Sequence, residues 1–109
     1  MFYIENSVIQ PFTEIGDDTI LWNGNFIGHH TKIGNHCFIS SHVVVNGVVQ
    51  IVDYTFIGAN ATVRNGARIC ADNLIGAGAV ITKDTAEGEV YVSERSVLLK
   101  KKSDKISIE

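Results

Sequence analysis

The sequence predicts an all-β solenoid in which short parallel strands wind around a narrow triangular prism. An aliphatic residue recurs at every sixth position from Ile9 to Ile81, thirteen times without an insertion. The position four residues after each of these is Thr, Ala, Val or Cys in eleven of the thirteen cases. Glycine directly follows the aliphatic residue at positions 16, 28, 34, 58 and 76. A period of six equals three steps of a strand's two-residue alternation and does not fit the 3.6-residue turn of an α-helix.

Each hexad is interpreted as one short strand followed by one corner. The bulky and the small side chain both point inward, because a narrow prism has room for one large residue per strand. Glycine suits a corner where a Cβ would crowd the neighbouring coil. Three hexads close one turn, so residues 18 apart stack at a spacing of roughly 4.8 Å. From Tyr3 to Ala86 the chain holds 14 hexads, a little under five turns.

The hexad register stops after Glu87. We expect Val90 to Val92 to form a last strand, and Ser93 to cap a short helix that ends at Leu99. A basic, solvated tail follows, with lysines at positions 100, 101, 102 and 105. The predicted organisation is therefore a β-helix over residues 1–92 and a C-terminal helix and tail over residues 93–109.

Composition excludes several classes of function. The chain of 109 residues carries 9 basic and 12 acidic side chains, a net charge of −3, which offers no attraction to nucleic acid or to an anionic membrane. The N-terminus lacks the features of a signal peptide, and no apolar stretch is long enough to span a bilayer. Two cysteines are too few for a disulfide framework, so a reduced, cytoplasmic protein is expected.

Outward-facing apolar residues predict self-association. A solenoid this short buries a thin core, and apolar side chains remain on its faces. We expect these residues to be buried against a neighbouring subunit: Trp22, Phe26, Phe38, Val44 and Phe56.

Four histidines fall within 14 residues, at positions 29, 30, 36 and 42. His30, His36 and His42 occupy the same place in three successive hexads, so they lie on different sides of one turn and point apart. They cannot ligate one metal ion within a subunit. No metal site is therefore expected.

His29 suggests acid–base chemistry because of what stacks on it. The residues 18, 36 and 54 positions later in the same column are Gly47, Asn65 and Lys83. An imidazole beneath a glycine whose N–H is uncovered supplies a base for an attacking hydroxyl or amine and a donor for the oxyanion. Acyl transfer from a thioester needs this pair of groups. The alternative interpretation is that His29 is a tolerated surface residue.

The segment from Leu21 to His30, followed by Ile33-Gly34 and by Phe38 to Val44, resembles the sugar acetyltransferases related to sialic acid O-acetyltransferase, which are hexapeptide-repeat acyltransferases. The resemblance implies a left-handed parallel β-helix, although right-handed crossovers are the general rule. It also implies a homotrimer that transfers acetyl groups from acetyl-CoA to a sugar or nucleotide-sugar hydroxyl or amine. The family's general base aligns with His29, and its oxyanion-stabilising glycine aligns with Gly47.

The chain departs from this family at two positions. His30 stands where many members have a glutamate that orients the imidazole, and Phe38 stands where several have a second histidine, with His42 four residues later. We expect contacts to the acceptor from Asn25, His30 and His42.

The later coils resemble the family's coenzyme A groove. Their Gly–Ala corners leave main-chain amides open to an extended ligand, and basic residues concentrate there. The predicted cofactor-binding residues are Gly58, Ala59, Gly76, Ala77, Gly78 and Lys83.

Two hypotheses about function follow. The leading one is an acetyl-CoA-dependent acetyltransferase with His29 as general base and a site walled by two subunits of a trimer. The alternative is a non-catalytic trimeric scaffold or binding module, because the first hexad begins within two residues of Met1 and no N-terminal acceptor-binding domain is expected.

Overall fold

A computed structural model describes residues 2, 3 and 6–106, with the backbone alone described at residues 2 and 3. Fifteen two-residue strands follow one another along this part of the chain. They are β1 (Phe2–Tyr3), β2 (Val8–Ile9), β3 (Glu14–Ile15), β4 (Ile20–Leu21), β5 (Phe26–Ile27), β6 (Lys32–Ile33), β7 (Phe38–Ile39), β8 (Val44–Val45), β9 (Gln50–Ile51), β10 (Phe56–Ile57), β11 (Thr62–Val63), β12 (Arg68–Ile69), β13 (Leu74–Ile75), β14 (Val80–Ile81) and β15 (Val90–Tyr91).

The strands form three parallel sheets, which are the faces of a prism. Face A contains β1, β4, β7, β10, β13 and β15, face B contains β2, β5, β8, β11 and β14, and face C contains β3, β6, β9 and β12. Within each face the register between neighbours is 18 residues, as in the pairing of Ile20 with Phe38, up to the last strand. The predicted fold class, an all-β left-handed parallel β-helix, is confirmed.

The predicted core is confirmed position by position. The aliphatic residue of each hexad is 0–3% exposed from Leu21 to Ile81, and Ile9 and Ile15 at the open first coil are partly buried. The small position is also interior, with Thr19, Cys37 and Thr55 all at 2% exposure or less. Backbone hydrogen bonds join each coil to the next, as from the Ile20 N–H to the Cys37 oxygen at 3.0 Å.

The corners share a backbone conformation that the sequence pattern does not reveal. Every sixth residue from Asn6 to Gly78 has a positive φ, between 52° and 80°, and ten of these thirteen residues are not glycine. The glycines that follow the aliphatic residue serve a different purpose. A Cβ on Gly28 would overlap the backbone of Asn46 and Gly47 in the next coil. The predicted crowding at these positions is therefore confirmed.

The three faces differ in chemistry. The outward residues of face C are Glu14, Lys32, Gln50 and Arg68, with Glu14 paired to Lys32 at 3.7 Å and the Arg68 Nε donating to the Gln50 Oε1 at 3.2 Å. The outward residues of the other two faces are almost all apolar. Within the part of the chain with described side chains they are Ile20, Phe38, Phe56, Leu74 and Val90 on face A, and Val8, Phe26, Val44, Thr62 and Val80 on face B.

The last coil is shorter than the others. β15 pairs with β13 at an offset of 16 residues, so Val90 lies beside Leu74. The Glu89 carboxylate closes this coil by accepting the Ala86 N–H and the Tyr91 hydroxyl, each at 2.7 Å. The hydrogen bond from Ala86, and then that from Tyr91, lowers the pKa of Glu89, and the bond to Glu89 raises the pKa of Tyr91. The predicted last strand is confirmed at Val90–Tyr91.

The predicted helix from Ser93 to Leu99 is not formed. The Ser93 hydroxyl donates to the Ala77 oxygen at 3.0 Å instead of capping a helix, and Val97, Leu98 and Leu99 are all exposed. A seven-residue helix is marginal without an apolar surface to pack against. The tail contains one 3-10 turn, at Ser103–Lys105. Among the described residues, no helix has the length and apolar character needed to cross a membrane.

Candidate active site

The corner between faces B and C, here called corner BC, comprises residues 28–31, 46–49, 64–67 and 82–85. Consecutive coils stack directly at this corner, because the Val48 N–H donates to the His29 oxygen at 2.8 Å and the Gly66 N–H donates to the Gly47 oxygen at 3.0 Å. The column of His29, Gly47 and Asn65 deduced from the spacing of 18 is therefore present.

The His29 imidazole points toward Gly47. A Cβ on Gly47 would lie 3.4 Å from the His29 Nε2 and 3.5 Å from its Cδ2. Gly47 has a φ of 102°, and the residue is buried. Among the described residues its N–H donates no hydrogen bond. A proton acceptor and an unused main-chain donor thus adjoin each other on one corner.

The His29 ring contacts a second histidine, His30. The Nδ1 atoms of His29 and His30 are 3.0 Å apart, and the two rings are nearly perpendicular, at 89°. His30 in turn stacks on Phe12 with ring centroids 5.0 Å apart. The His29 N–H donates to the Gln10 Oε1 at 2.9 Å. His30 therefore contacts His29 from the position at which many members of the resembled family have a glutamate.

Asn65 is a site residue to which the sequence pattern assigned no role. Its Nδ2 donates to the Asn46 oxygen at 3.0 Å. The same Nδ2 lies 3.3 Å from the position that a Cβ on Gly47 would take. The spacing of 18 places Asn65 in this column, but the direction of its amide is visible only in the structure.

Most predicted cofactor residues lie on a different corner. The corner between faces A and B, here called corner AB, comprises residues 22–25, 40–43, 58–61 and 76–79. The N–H groups of Ala59 and Ala77 donate no hydrogen bond to any described residue, and the Gly78 N–H donates to the Ala59 oxygen at 2.8 Å. Gly58 and Gly76 precede these open amides. Corner AB therefore carries two unused main-chain donors that are one coil apart.

Lys83 lies on corner BC, one coil beyond Asn65 in the same column. It borders a cavity of about 160 Å³ that is also lined by Thr82, Asp84 and Tyr91. A larger, shallow groove of about 330 Å³ runs along face C between Glu14 and Arg68, and it contains none of the predicted site residues.

Asn25 cannot contact an acceptor as expected. It is 1% exposed, its Nδ2 donates to the Trp22 oxygen at 2.8 Å, and its Oδ1 accepts the Val43 N–H at 2.8 Å. The side chain faces the interior and links two coils, because it occupies the inward small position of its hexad. The structure therefore corrects the prediction that Asn25 contacts the acceptor.

The remaining histidines lie on separate corners, as predicted. His42 is on corner AB, and His36 is on the corner between faces C and A, where its Nδ1 is 3.6 Å from the Asp18 Oδ2 and its ring stacks on Tyr54. No group of three His, Cys, Asp or Glu side chains that could hold a metal ion occurs among the described residues. One chain thus brings His29, His30 and Gly47 together, whereas His42 is separated from them.

The chain belongs to the bacterial transferase hexapeptide family, which is described by six repeats. The family model matches residues 12–47 and again residues 48–83, two successive stretches that together cover strands β3 to β14.

Similar proteins in this family are acyltransferases. An acyl-[acyl-carrier-protein]–UDP-N-acetylglucosamine O-acyltransferase from Burkholderia lata is 32% identical over 72 residues, covering 66% of this chain and 28% of that protein. Serine acetyltransferase isoform 3 from Entamoeba histolytica, solved in complex with cysteine, is 28% identical with a TM-score of 0.75, covering 88% of this chain and 38% of the other. Serine acetyltransferase from Neisseria gonorrhoeae, solved in complex with serine, is 26% identical with a TM-score of 0.74, covering 82% and 40% of the two chains. This chain spans less than a third of the curated relatives it matches.

Proposed function

We propose that this chain is an acetyl-CoA-dependent acetyltransferase that modifies a hydroxyl or an amine of a sugar or nucleotide-sugar. The observation that carries the proposal is the His29 Nε2 directed at Gly47, whose N–H is unused among the described residues. Membership of a transferase family supports it, as does similarity to a UDP-N-acetylglucosamine O-acyltransferase and to two serine acetyltransferases.

His29 serves as the general base. Its Nε2 accepts a proton only when the ring hydrogen is on Nδ1, and in this proposal that hydrogen is donated to the His30 Nδ1, which lies 3.0 Å away. Such a hydrogen bond holds His29 in the tautomer that catalysis requires. When His29 takes up the acceptor's proton, the neutral His30 ring continues to accept from Nδ1 and stabilises the imidazolium. His30 is in this proposal a positioning residue for His29.

The Gly47 N–H serves as the oxyanion donor. The absence of a Cβ on Gly28 leaves room beside this amide, because a side chain there would overlap Asn46 and Gly47. A fixed donor directed at developing negative charge stabilises the transition state with no reorganisation during the reaction. The donor substrate supplies an activated acetyl thioester at this position.

The donor substrate is bound by corner AB. The open amides at Ala59 and Ala77 suit a pantetheine arm, and Gly58, Gly76 and Gly78 keep the backbone accessible. The Lys83 ammonium, which lies on corner BC with His29, suits a phosphate of the ligand bound by a neighbouring copy. His29 and these amides lie on different corners of one prism. A second copy of the chain must therefore complete each site, which we propose occurs in a homotrimer with the base facing the neighbour's groove. Both cysteines are free, which suits the reducing cytoplasm.

The test is thiol release from acetyl-CoA with a panel of amino sugars and nucleotide-sugars. Replacing the general base in His29→Ala is expected to lower turnover by roughly 10²–10⁴. The matched control is His36→Ala, which removes an exposed histidine from a different corner. Undiminished turnover in His29→Ala, or an equal loss in both variants, contradicts the proposal.

A scaffold function is the second candidate, and Phe38 favours it. Where several members of the resembled family have a histidine, this chain has a ring that stacks between Trp22 and Phe56, at centroid distances of 6.4 and 5.5 Å. Calorimetry with acetyl-CoA separates the candidates. Micromolar binding supports the enzyme, and no binding at millimolar acetyl-CoA supports the scaffold.

A further inference from the structure

The C-terminal end of face B has an unpaired strand edge. β14 is the last strand of this face, and no strand of the described part of the chain pairs with its outer edge. The N–H groups of Val80 and Thr82 accordingly donate no hydrogen bond to any described residue. The cavity of about 160 Å³ lies beside this edge, with Val80, Ile81 and Tyr91 in its walls. An unpaired edge of this kind is a template for one more strand.

The other two faces end differently. On face A, β15 covers β13. On face C, side chains of the loop after β14 take up the donors of the last strand and its neighbour. The Arg68 N–H donates to the Asp84 Oδ1, and the Cys70 N–H donates to the Thr85 Oγ1, each at 2.9 Å. β14 has neither kind of cover.

The tail contains a segment that matches β14. Leu98 and Leu99 stand 18 positions after Val80 and Ile81, the regular spacing between paired strands of this solenoid. The two leucines are 95% and 65% exposed. Residues 94–99 form no backbone hydrogen bond with any described residue. The segment therefore has apolar side chains and main-chain groups available for a partner.

The path of the tail away from its own prism has a physical reason. The last coil is two residues short, and the Ser93 hydroxyl bonds to the Ala77 oxygen, 16 positions earlier, at 3.0 Å. Continued by two residues, this register would place Arg95 over Ala79, an inward position that is 3% exposed. A guanidinium without a partner there would lose its hydration without compensation. In the structure Arg95 is exposed instead, so the tail does not reach its own β14.

We infer that the tail of a second copy of this chain adds the missing strand to β14. Leu98 of one copy lies beside Val80 of the other, and Leu99 covers Ile81 at the mouth of the cavity. Main-chain hydrogen bonds to an open edge supply the affinity of such strand addition, and the side chains supply the register. The inference concerns assembly and does not depend on the proposed acetyl transfer.

The hydrogen bonds of this pairing repeat those within the prism. β11 donates to β14 through the Thr62 N–H, which bonds to the Ala79 oxygen, 17 positions later, at 2.9 Å. In the same pattern the open N–H groups of Val80 and Thr82 donate to the oxygens of Val97 and Leu99 of the second copy. All four main-chain groups thus gain partners.

Charge favours the same exchange. Residues 1–92 carry 4 basic and 9 acidic side chains, whereas residues 93–109 carry 5 basic and 3 acidic ones. The tail of one copy is therefore attracted to the body of another. Because the contact joins two different surfaces of the chain, it is heterologous, and a threefold rotation closes it into a ring. The exchange is thus compatible with the proposed homotrimer.

Disulfide trapping tests the exchange. The double variant Val80→Cys/Leu98→Cys is made in a Cys70→Ser background, which removes the partly exposed native thiol. Residues opposite each other in neighbouring strands lie about 4.8 Å apart, within the Cα separation that a disulfide spans. Mild oxidation is expected to join chains to one another, giving covalent species of two and three chains on a non-reducing gel.

The size of the oxidised product identifies the occupant of the edge. Loss of both engineered thiols with the mobility of a single 11.9 kDa chain would assign the edge to the chain's own tail and overturn the inference. Absence of a disulfide in a protein that light scattering shows to be a trimer would also overturn it, while leaving the shared active site in place. A monomeric native chain contradicts both proposals.

Val8→Cys/Leu98→Cys is the matched control. Val8 is also an outward residue of face B and is 53% exposed, compared with 65% for Val80, but it lies at the opposite end of the prism. No linkage between chains is expected in this variant. Equal linkage in both double variants would show that the tail meets the face by random collision, which contradicts the inference.

A further substitution tests the position of Leu99. Leu99→Ala, added to the Val80→Cys/Leu98→Cys variant, is expected to slow linkage about tenfold, the effect of one buried leucine side chain. Ile106→Ala removes an apolar side chain that is 43% exposed in the same tail and should leave the rate unchanged. An unchanged rate in Leu99→Ala, or equal slowing by both substitutions, contradicts the placement of Leu99 over Ile81.

Discussion

His30 places an imidazole beside His29, where many members of the resembled family have a glutamate. Its Nδ1 lies 3.0 Å from the His29 Nδ1, and its own ring stacks on Phe12. The role proposed for the pair therefore depends on which of its ring nitrogens carry hydrogen. Removal of the His30 nitrogen should affect the chemical step more than the binding of substrate.

His30→Phe tests this role. The substitution keeps the ring stacked on Phe12 and tolerates the positive φ of 56°, because Phe12 itself has a φ of 63° at the same place in its own coil. We expect kcat to fall about tenfold with KM little changed, since one orienting hydrogen bond is lost. Steady-state thiol release measures both constants. His36→Phe, which keeps a ring beside Tyr54, is the control. A change in KM alone, or equal effects in both variants, argues against a positioning role.

Cys37 is buried, whereas Cys70 is partly exposed. Cys37 is 2% exposed, and burial is the main cause that raises the pKa of its thiol above the ordinary value of 9.0. As the pH rises past that value the unfolded chain loses its proton first, so stability that is complete below about pH 9 is lost above it. We expect the melting temperature to decline more steeply above pH 9 in the native chain than in Cys37→Ala. Parallel declines between pH 8 and 10.5 would rule out this contribution.

At the scale of the element, each corner holds one residue in the left-handed backbone region. Its left-handed conformation costs an L-residue about 1–2 kcal/mol relative to glycine or asparagine. Val48 and Gly66 hold this position in successive coils of corner BC, with φ of 52° and 80°. Val48 is 49% exposed, so its side chain contributes little packing there.

Substitutions at these two corners should change stability in opposite directions. Val48→Asn is expected to raise the free energy of unfolding by about 1 kcal/mol, because asparagine adopts a positive φ more readily than a β-branched residue. Gly66→Ala is expected to lower it by about 1–2 kcal/mol through the backbone alone, since no atom lies within 4 Å of the added Cβ. Urea denaturation measures both changes. A destabilised Val48→Asn would show that this side chain packs against a neighbour in the assembled protein.

At the scale of the whole molecule, two faces are apolar and one is polar. Trp22 and Phe56, which are 45% and 42% exposed, border or lie on face A, whereas face C carries the ion pair of Glu14 and Lys32. An exposed apolar surface of this kind favours self-association through faces A and B and leaves face C toward solvent. Such an arrangement also brings corner AB of one copy toward another copy, as a shared site requires.

Light scattering tests the assembly. We expect a homotrimer of the 11.9 kDa chain at micromolar concentration. Trp22→Glu should dissociate it, because burying an unpaired charge costs several kcal/mol. Gln50→Glu adds the same charge on face C beside Arg68 and should leave the trimer intact. A monomeric native chain contradicts the shared site, and a trimer that survives Trp22→Glu shows that a different face is buried.

The prediction from sequence succeeded where one rule applies to every coil. A register without insertions assigns the same environment to each sixth residue, so it determined the strands, the inward residues and the column that joins His29 to Gly47. The same register assigns Asn25 to the interior, because Asn25 occupies the inward small position of its hexad. The prediction that Asn25 contacts an acceptor was therefore inconsistent with the register. The helix after Ser93 was wrong because capping and local propensity say nothing about whether an apolar surface is available to pack against.

The sequence by itself determined the parallel β-helix, its core and its stacked columns, because these depend only on the period of six and on the size of the side chains. The tertiary structure alone decided the direction of the polar groups at the corners. These are the contact between the Nδ1 atoms of His29 and His30, the Gly47 N–H that has no acceptor among the described residues, and the Asn65 amide that donates to the Asn46 oxygen. These directions result from competition for hydrogen bonds with atoms one coil away. The outcome depends on the distances and angles between groups about 18 positions apart, and these leave no periodic signal in the sequence.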